Sequence, residues 1–368
     1  MAITILTLIW LAASQTPDFH VYWQAGAALR TGGWNAVYQI TELASFKYHP
    51  VFAFVCVPFG LVSESLARVA WAGLNGLMLL DVMQRWRIHW RIDPLAIGVG
   101  FLCVGHALFW QYAYGNVVFV MLWLWTVAVT VRSPWRSAAC YAVLIALKPF
   151  WLALIVPWLI CRRFDLVGRV TVVIAGLSLA PIAFGVSRFT NAYQRWFATF
   201  ADPSQGLNLQ AHENQSWYGL LYRHGMHDTE LRLAWLAGSA LVGVLWLWQW
   251  RGAIGGRFGD RPVADLATDR WPLELSVLPF MLWTAPLSWI HHQVLLWPLF
   301  ALAWQMGRTS RVARVVCLGS AVLVTALSES IAGRPATLFV LAWGVPLLAL
   351  LVLNWWGSAA LSRGLAPD

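Results

Sequence analysis

Long apolar runs recur along the whole 368-residue chain, and short polar stretches separate them. Each run is close to the roughly 20 residues that an α-helix needs to cross a hydrocarbon layer of about 30 Å. The chain is 60% hydrophobic and 11% charged, which is too little charge to cover the surface of a soluble domain. The sequence therefore predicts an all-α integral membrane protein, a polytopic helical bundle that forms one transmembrane domain over residues 1–368.

Positive charge is gathered in short arginine clusters between the apolar runs. Such clusters stay on the cytoplasmic side of a membrane, so the net charge of +9 reports topology, and no nucleic-acid partner is expected. About twelve crossings with both termini inside satisfy this rule. The predicted crossings are 1–15, one within 50–83, 94–110, 117–132, a hairpin of two short helices over 137–161, 166–186, 230–250, 272–290, 292–307, 313–328 and 336–356.

Residues 50–63 leave two topologies open. If they are re-entrant, the loops near Arg87 and Arg132 are cytoplasmic. If they span the membrane, those loops lie outside and residues 137–161 become a single crossing. The re-entrant version breaks the positive-inside rule less often. It places the polar and titratable residues on the extracytoplasmic face, chiefly in loops 16–49 and 187–229.

Asp18 begins the first of these external loops. It is a candidate N-cap for an amphipathic helix that runs to about Arg30, and capping alone would explain an aspartate here. A carboxylate that is ionised at neutral pH can also accept a proton, so a role of Asp18 as general base is the second interpretation.

The chain has two lysines against 23 arginines, and both lysines, Lys47 and Lys148, fall on the predicted outer side. Lys148 lies between an apolar run and Pro149, at the predicted bend of the hairpin. A charge at that depth is costly unless it is paired or faces water, and a phosphate is a natural partner for an ammonium group. The alternative is a lysine that snorkels to the interface.

Two adjacent histidines, His291 and His292, stand at the outer end of a predicted crossing. Helical neighbours point about 100° apart, so the pair is poorly placed to share one metal ion, and no metal site is expected. Either ring can donate to an anion or shuttle protons, although both can also be ordinary interfacial residues. His212 lacks the partner residues of a zinc deaminase or a metalloprotease.

Six short segments, in this order along the chain, resemble the motifs of glycosyltransferase family 87. They are Asp18-Phe19-His20-Val21-Tyr22, Phe46-Lys47-Tyr48-His49-Pro50, Tyr114-Gly115-Asn116, Ala146-Leu147-Lys148-Pro149, Asn214-Gln215-Ser216 with Gly219-Leu220-Leu221, and Pro286-Leu287-Ser288-Trp289-Ile290-His291-His292. Two segments depart from the family pattern. His49 stands where the family has a proline, and the segment that ends at Asn116 lacks the family's glutamine.

This resemblance implies an inverting enzyme of the GT-C class, similar to the mycobacterial phosphatidylinositol-mannoside mannosyltransferases. It would transfer a hexose, mannose above others, from a polyprenyl-phosphate sugar to a lipid or glycan acceptor, with membrane lipids around it. Asp18 would be the general base. Donor-binding residues would be Lys148, His291, His292, Asn214, Gln215, Ser216, Tyr48, His49 and Asn116.

The resemblance also implies a multi-pass protein of the plasma (inner) membrane with its active site on the extracytoplasmic face. No cofactor is expected, because a lipid-linked donor needs no nucleotide site. The alternative function is a secondary transporter of a polar or lipid-linked substrate, which also uses charges within the membrane. A purely structural membrane protein would not need polar motifs gathered on one face.

Overall fold

The computed structural model describes residues 17–31, 33–38, 46–201, 214–257, 271–285, 288–307 and 311–321. Within these ranges the regular secondary structure is helical, apart from one isolated β-bridge, so the predicted all-α fold is confirmed. The α-helices, numbered in chain order, are α1 Pro17–Thr31, α2 Gly33–Val37, α3 Pro50–Cys56, α4 Glu64–His89, α5 Pro94–Cys103, α6 Gly105–Tyr114, α7 Val118–Thr130, α8 Pro134–Leu147, α9 Ile155–Ile160, α10 Phe164–Leu179, α11 Val186–Ala201, α12 Trp217–Arg223, α13 Asp228–Arg257, α14 Trp271–Thr284, α15 Trp297–Met306 and α16 Arg311–Ala321. Short 3-10 helices cover Phe59–Leu61, Pro149–Leu154, Ala180–Phe184 and Ile290–Leu296.

Among the described residues, three helical segments are long and apolar enough to cross a membrane. They are Glu64–His89, Phe164–Ala183 and Asp228–Trp250, and they match predicted crossings of the same regions. A fourth crossing results if the bent pair α5 and α6 counts as one. The count of about twelve crossings stays a prediction. The crossings predicted at 1–15 and 336–356 lie outside the described residues, and 313–328 lies partly outside them.

Three local features differ from the expected pattern. The crossing predicted at 94–110 is broken at Val104, where α5 and α6 meet at 69°. Gly105 follows the break, and glycine lowers helix stability at such a position. Arg85 and Arg87 belong to the last turns of α4 and not to a loop. Part of the predicted loop 187–229 is helical, in α11 and α12.

Residues 50–63 do not form a span of their own. Helix α3 has seven residues, which at 1.5 Å per residue is about 10 Å and far short of a bilayer core. A short 3-10 helix and then α4 follow it. This arrangement favours the re-entrant topology over the spanning alternative.

The described residues divide into two compact units. The first takes those within Met1–Val82, Phe109–Trp151 and Asp165–Leu207, and the second takes those within Met83–Leu108, Leu152–Phe164 and Asn208–Asp368.

The core of the first unit is built on α1. Phe19 and Tyr22 are buried on one face of this helix, and both rings pack against Trp71 of α4. Gly26, one turn further along, lets α1 approach α3 closely, because a Cβ atom at Gly26 would lie 2.1 Å from the carbonyl oxygen of Cys56. Helices in membranes use small residues in this way. Helix α1, which carries Asp18, is therefore held firmly.

The core of the second unit is rich in tryptophan. Trp297 of α15 is fully buried, donates to the carbonyl oxygen of Ile97 at 2.9 Å and packs edge-on against Trp86. Glu274 of α14 is also fully buried, and its carboxyl accepts a hydrogen bond from the Trp158 indole at 2.9 Å. Burying these groups is tolerated because each has a hydrogen-bond partner.

Candidate active site

Asp18 lies in the first turn of α1, and not at its N-cap as the sequence suggested. Pro17 is the first described residue of this helix. The Asp18 carboxylate makes a different contact. Its Oδ2 atom accepts a hydrogen bond from Nδ2 of Asn116, with the two atoms 2.6 Å apart. Asp18 and Asn116, two of the residues singled out from the sequence, therefore meet in space although 98 positions separate them.

The backbone around Asn116 is fixed by side chains of the first unit. Helix α6 ends at Tyr114, and Gly115 adopts a left-handed conformation with φ of 67°, which glycine accepts without strain. The indole of Trp71 donates to the Gly115 carbonyl at 2.8 Å, and the amide of Gln111 donates to the Asn116 carbonyl. Asn116 is itself buried. Its side chain is thus presented to Asp18 in one orientation.

Burial and charge act on Asp18 in opposite directions. Desolvation raises the pKa of the Asp18 carboxyl above its ordinary value, and this is the larger effect. The hydrogen bond from Asn116 and the positive charges of Lys148 and Lys47 lower the pKa. A carboxyl group whose pKa is raised by burial and lowered by such partners resembles the general bases of many active sites.

Tyr48 links the lysine to helix α1. The Lys148 ammonium lies 4.9 Å from the centre of the Tyr48 ring, a cation–π distance. The Tyr48 hydroxyl shares a 2.7 Å hydrogen bond with the Tyr22 hydroxyl. Tyr38 donates to the Tyr48 carbonyl at 2.9 Å. Lys148 itself has an extended backbone between α8 and the 3-10 helix that starts at Pro149, as expected for a residue before proline.

Tyr22 was not selected from the sequence as a site residue. Its position four residues after Asp18 is the signal that would have found it, since residues four apart share one face of a helix. The structure adds it to the same group of side chains as Tyr48 and Asp18, which we name the acid–lysine cluster: Asp18, Tyr22, Tyr48, Asn116 and Lys148.

His49, the residue that departs from the family's proline, caps helix α3. Its Nδ1 accepts a hydrogen bond from the Val51 amide at 3.3 Å, so the proton of the neutral ring sits on Nε2. Nε2 lies 2.9 Å from the Tyr193 hydroxyl and 3.2 Å from Ser178 Oγ. Burial lowers the pKa of His49 to about 4. These contacts give His49 a positioning role next to Tyr48, in addition to any donor contact predicted for it.

In the second unit, Asn214 joins two of the family-like segments. It pairs with Trp289 in an isolated antiparallel bridge, and its Oδ1 accepts from the Ser288 amide at 3.0 Å. The Gln215 amide donates to the Ser288 carbonyl at 2.6 Å. The guanidinium of Arg223 donates to the Asn214 carbonyl at 2.7 Å. The residues before the histidine pair are thereby tied to the asparagine segment.

Ser216 and Gly219 stabilise the segment that begins at Asn214. Ser216 is the N-cap of α12, and its Oγ accepts from the Gly219 amide at 2.9 Å. A Cβ atom at Gly219 would lie 2.5 Å from the Asn214 amide nitrogen, so only glycine leaves room for that side chain. Both Ser216 Oγ and Asn214 Oδ1 serve the protein's own structure, and their predicted contacts to sugar or phosphate stay a prediction.

His291 and His292 are buried in the 3-10 helix that follows Trp289. Their ring centres are 4.7 Å apart at an angle of 67°. Nδ1 of His292 accepts from the Trp289 amide at 3.0 Å, so the neutral ring carries its proton on Nε2 and can donate from there. Pro286 and Leu287, the start of this motif, lie outside the described residues.

The model of glycosyltransferase family 87 matches residues 46–271, more than half of the chain. The chain belongs to glycosyltransferase family 87. The matched region contains the segments around Tyr48, Asn116, Lys148 and Asn214, and ends before the histidine pair. Together with the long apolar helices, this identifies a membrane glycosyltransferase.

Two curated mycobacterial relatives carry the same description, polyprenol-phosphate-mannose-dependent alpha-(1-2)-phosphatidylinositol mannoside mannosyltransferase. The protein from Mycobacterium tuberculosis is 24% identical over 343 residues, which cover 86% of this chain and 77% of the relative. The protein from Mycolicibacterium smegmatis is 26% identical over 172 residues, which cover 46% of this chain and 37% of the relative. No solved structure matches the chain significantly.

Proposed function

We propose that this family 87 enzyme transfers a hexose from a polyprenyl-phosphate sugar to a hydroxyl of a lipid or glycan acceptor. Mannose is the proposed hexose. The observation that carries the proposal is the acid–lysine cluster. It presents one carboxylate, held by Asn116 and flanked by the charge of Lys148, within the motifs shared with the family. The description of the mycobacterial relatives supports both the donor and a lipid acceptor.

In this proposal Asp18 is the general base. One carboxylate oxygen takes the proton of the acceptor hydroxyl while the hydroxyl oxygen forms a bond to the anomeric carbon of the donor. The bond from that carbon to the phosphate oxygen breaks, and the polyprenyl phosphate leaves with the bonding electrons. Attack opposite the leaving group inverts the configuration, so a β-linked donor gives an α product. The hydrogen bond from Asn116 stabilises the ionised form of Asp18 that this step requires.

Lys148 is proposed to stabilise the departing phosphate. The negative charge on the leaving oxygen increases as the bond breaks, and an ammonium group held in place before reaction lowers the energy of that state. The Tyr48 ring holds the Lys148 ammonium from one side by a cation–π contact. The hydroxyl of Tyr48 is in turn held by Tyr22. These two contacts favour one position of the Lys148 ammonium group.

The segments at Asn214 and Ser288 are also proposed to bind the donor. Asn214 and Ser216 organise the backbone, and the Nε2 proton of His292 supplies a donor for an anion or a sugar oxygen. His291 and Gln215 keep the donor-binding roles that the family motif implies. The protein is proposed to lie in the plasma membrane, and the arginine clusters predict that these residues face its extracytoplasmic side.

The test is a transfer assay with a panel of donors. Purified protein in nanodiscs is incubated with polyprenyl-phosphate mannose, glucose and arabinose and a membrane lipid extract, and the extended product is identified by mass spectrometry and its linkage by NMR. We expect an α-linked mannosyl product. Turnover of none of the donors, together with uptake of a labelled substrate by proteoliposomes, would favour a secondary transporter instead.

A further inference from the structure

A second polar region of the first unit lies away from the acid–lysine cluster. It is a cavity of about 810 Å³, formed where the end of α1, helix α2, helix α3 and the start of α11 meet. Asp18 is in the first turn of α1 and Arg30 is in its last turn. Twelve residues at 1.5 Å per residue separate them by about 18 Å along the helix. The cavity is therefore a separate site from the proposed base.

The lining of the cavity includes two basic residues. They are Arg30 and Arg188, and Asn35 also lines the cavity. A third arginine, Arg195, donates from Nε to the Asn35 side chain at 3.1 Å. The described residues that line the cavity include no aspartate or glutamate. A guanidinium presents paired N–H groups whose geometry matches a phosphate, so a cavity lined by two arginines suits an anionic phosphate group.

The lining also includes apolar side chains. They are those of Leu29, Trp34, Phe54 and Val57. The Trp34 indole is buried and fixed, because it packs edge-on against Phe54 with ring centres 5.5 Å apart and stacks on Tyr38. A cavity lined by both basic and apolar side chains fits an amphiphilic molecule better than a free inorganic anion.

Asn191 adds a hydrogen-bonding group on the α11 side. It lines the cavity, and its Oδ1 atom is buried without a hydrogen-bond partner in the part of the chain that the structure describes. A buried carbonyl oxygen left in this way costs stability unless a ligand satisfies it. A hydroxyl of a sugar or polyol can donate to it.

The donor phosphate cannot be the anion that fits this cavity. In the proposed reaction that phosphate is bonded directly to the carbon that reacts beside Asp18, whereas the cavity lies about 18 Å further along α1. We propose that the cavity binds the phosphodiester head group of an anionic glycolipid acceptor. Arg30 and Arg188 would hold the phosphate, Asn191 would accept from a hydroxyl, and Trp34 would contact the apolar part. This inference rests on the proposed transferase function for the role of the lipid, but the binding itself can be measured independently.

The binding experiment compares wild type with Arg30→Gln/Arg188→Gln. The matched control is Arg136→Gln, which removes the charge of another exposed arginine that does not line the cavity. Detergent-purified protein is titrated with phosphatidylglycerol, a neutral glycosyl diacylglycerol and inorganic phosphate, and bound lipid is quantified by native mass spectrometry. We expect wild type and the control to prefer phosphatidylglycerol, and the double variant to bind it about five- to tenfold more weakly.

Equal binding by the double variant, or no preference of wild type for the anionic lipid, would overturn the proposal. Displacement of phosphatidylglycerol by equimolar inorganic phosphate would show a free-phosphate site and overturn the lipid assignment. If the double variant has a lowered melting temperature, Arg30→Lys/Arg188→Lys replaces it. Lysine keeps the positive charge but lacks the paired N–H groups of the guanidinium. An intermediate loss of binding is then expected, and wild-type binding by this pair would count against the proposal.

A kinetic arm separates this inference from the proposed function. The double variant should raise KM for an anionic acceptor lipid about five- to tenfold while kcat, donor KM and transfer to a neutral alkyl mannoside stay near wild type. Absence of transfer by wild type to any acceptor would reject the proposed function, and the binding result would still decide the cavity. Transfer with an unchanged acceptor KM in the double variant would reject the cavity as an acceptor site and leave the transferase function intact.

Discussion

Replacing Asn116 by alanine removes the amide that donates to Asp18 Oδ2 at 2.6 Å. A hydrogen bond to a charged group contributes about 1.5–3 kcal/mol, and here it favours the ionised carboxylate. Burial already raises the pKa of Asp18, and Asn116 opposes that rise. The Asn116→Ala variant should therefore have an Asp18 pKa higher than that of wild type.

The sign of the effect on activity follows from the role of Asp18 as a base. The enzyme is active with the carboxyl ionised, so kcat/KM falls as the pH drops through the pKa of Asp18. This fall of kcat/KM at low pH is the acid limb of the pH profile. In Asn116→Ala the acid limb should move to higher pH. A free-energy loss of 1.5–3 kcal/mol corresponds to roughly a 10- to 100-fold lower kcat/KM on the acid side of the profile, with a smaller deficit at alkaline pH.

The assay is mannosyl transfer measured as kcat/KM from about pH 5 to about pH 9, the range in which catalytic bases are commonly tuned. Asn116→Asp should move the limb further in the same direction, because a second carboxylate disfavours ionisation of Asp18. Asn75→Ala is the control, since Asn75 is an equally buried amide on α4 of the same unit. A uniform loss of activity in Asn116→Ala, with the acid limb unmoved, would refute the reasoning and leave Asn116 a purely structural residue.

Three further predictions test other parts of the account. Lys148→Ala should lower kcat/KM for the donor about 10- to 100-fold, through KM, kcat or both, and unchanged donor kinetics would make Lys148 a snorkelling residue. Gly219→Ala should destabilise the fold by about 1–3 kcal/mol in thermal unfolding, because its Cβ would meet the Asn214 side chain at 2.5 Å, whereas Gly73→Ala, whose Cβ meets nothing within 4 Å, should melt at or above the wild-type temperature. In a cysteine-free background, a cysteine at Gly256 should resist an impermeant reagent in intact cells and react after lysis, and labelling before lysis would reverse the predicted topology.

The sequence predicted the parts of the fold that depend on local pattern. Apolar runs long enough to span a bilayer predicted the long helices α4, α10 and α13. The Lys148-Pro149 pair predicted the end of α8, because the residue before proline avoids helical geometry. For residues 50–63 the positive-inside rule favoured the re-entrant version, but the sequence did not show that helix α3 has only seven residues.

Contacts between distant segments could not be predicted in the same way. Asp18 and Asn116 were both selected from motifs, but nothing in either motif states that one donates to the other across 98 positions. The Nε2 atom of His49 contacts Ser178 and Tyr193, which belong to no recognised motif. Asn214 looked like a ligand-binding residue, and only the folded chain shows that its Oδ1 holds the Ser288 amide. Polar residues in a motif can thus serve the backbone as well as the substrate.

The catalytic role of Asp18 is tested most directly by Asp18→Asn. Asparagine keeps the size of the side chain and an oxygen that can accept from Asn116, but it cannot take the acceptor proton at neutral pH. The measurement is transfer from polyprenyl-phosphate mannose by the purified variant, alongside its melting temperature and its donor affinity. The account predicts a loss of about 10²- to 10⁴-fold in turnover with wild-type melting and donor binding. Turnover within a few-fold of wild type would contradict the assignment of Asp18 as the base.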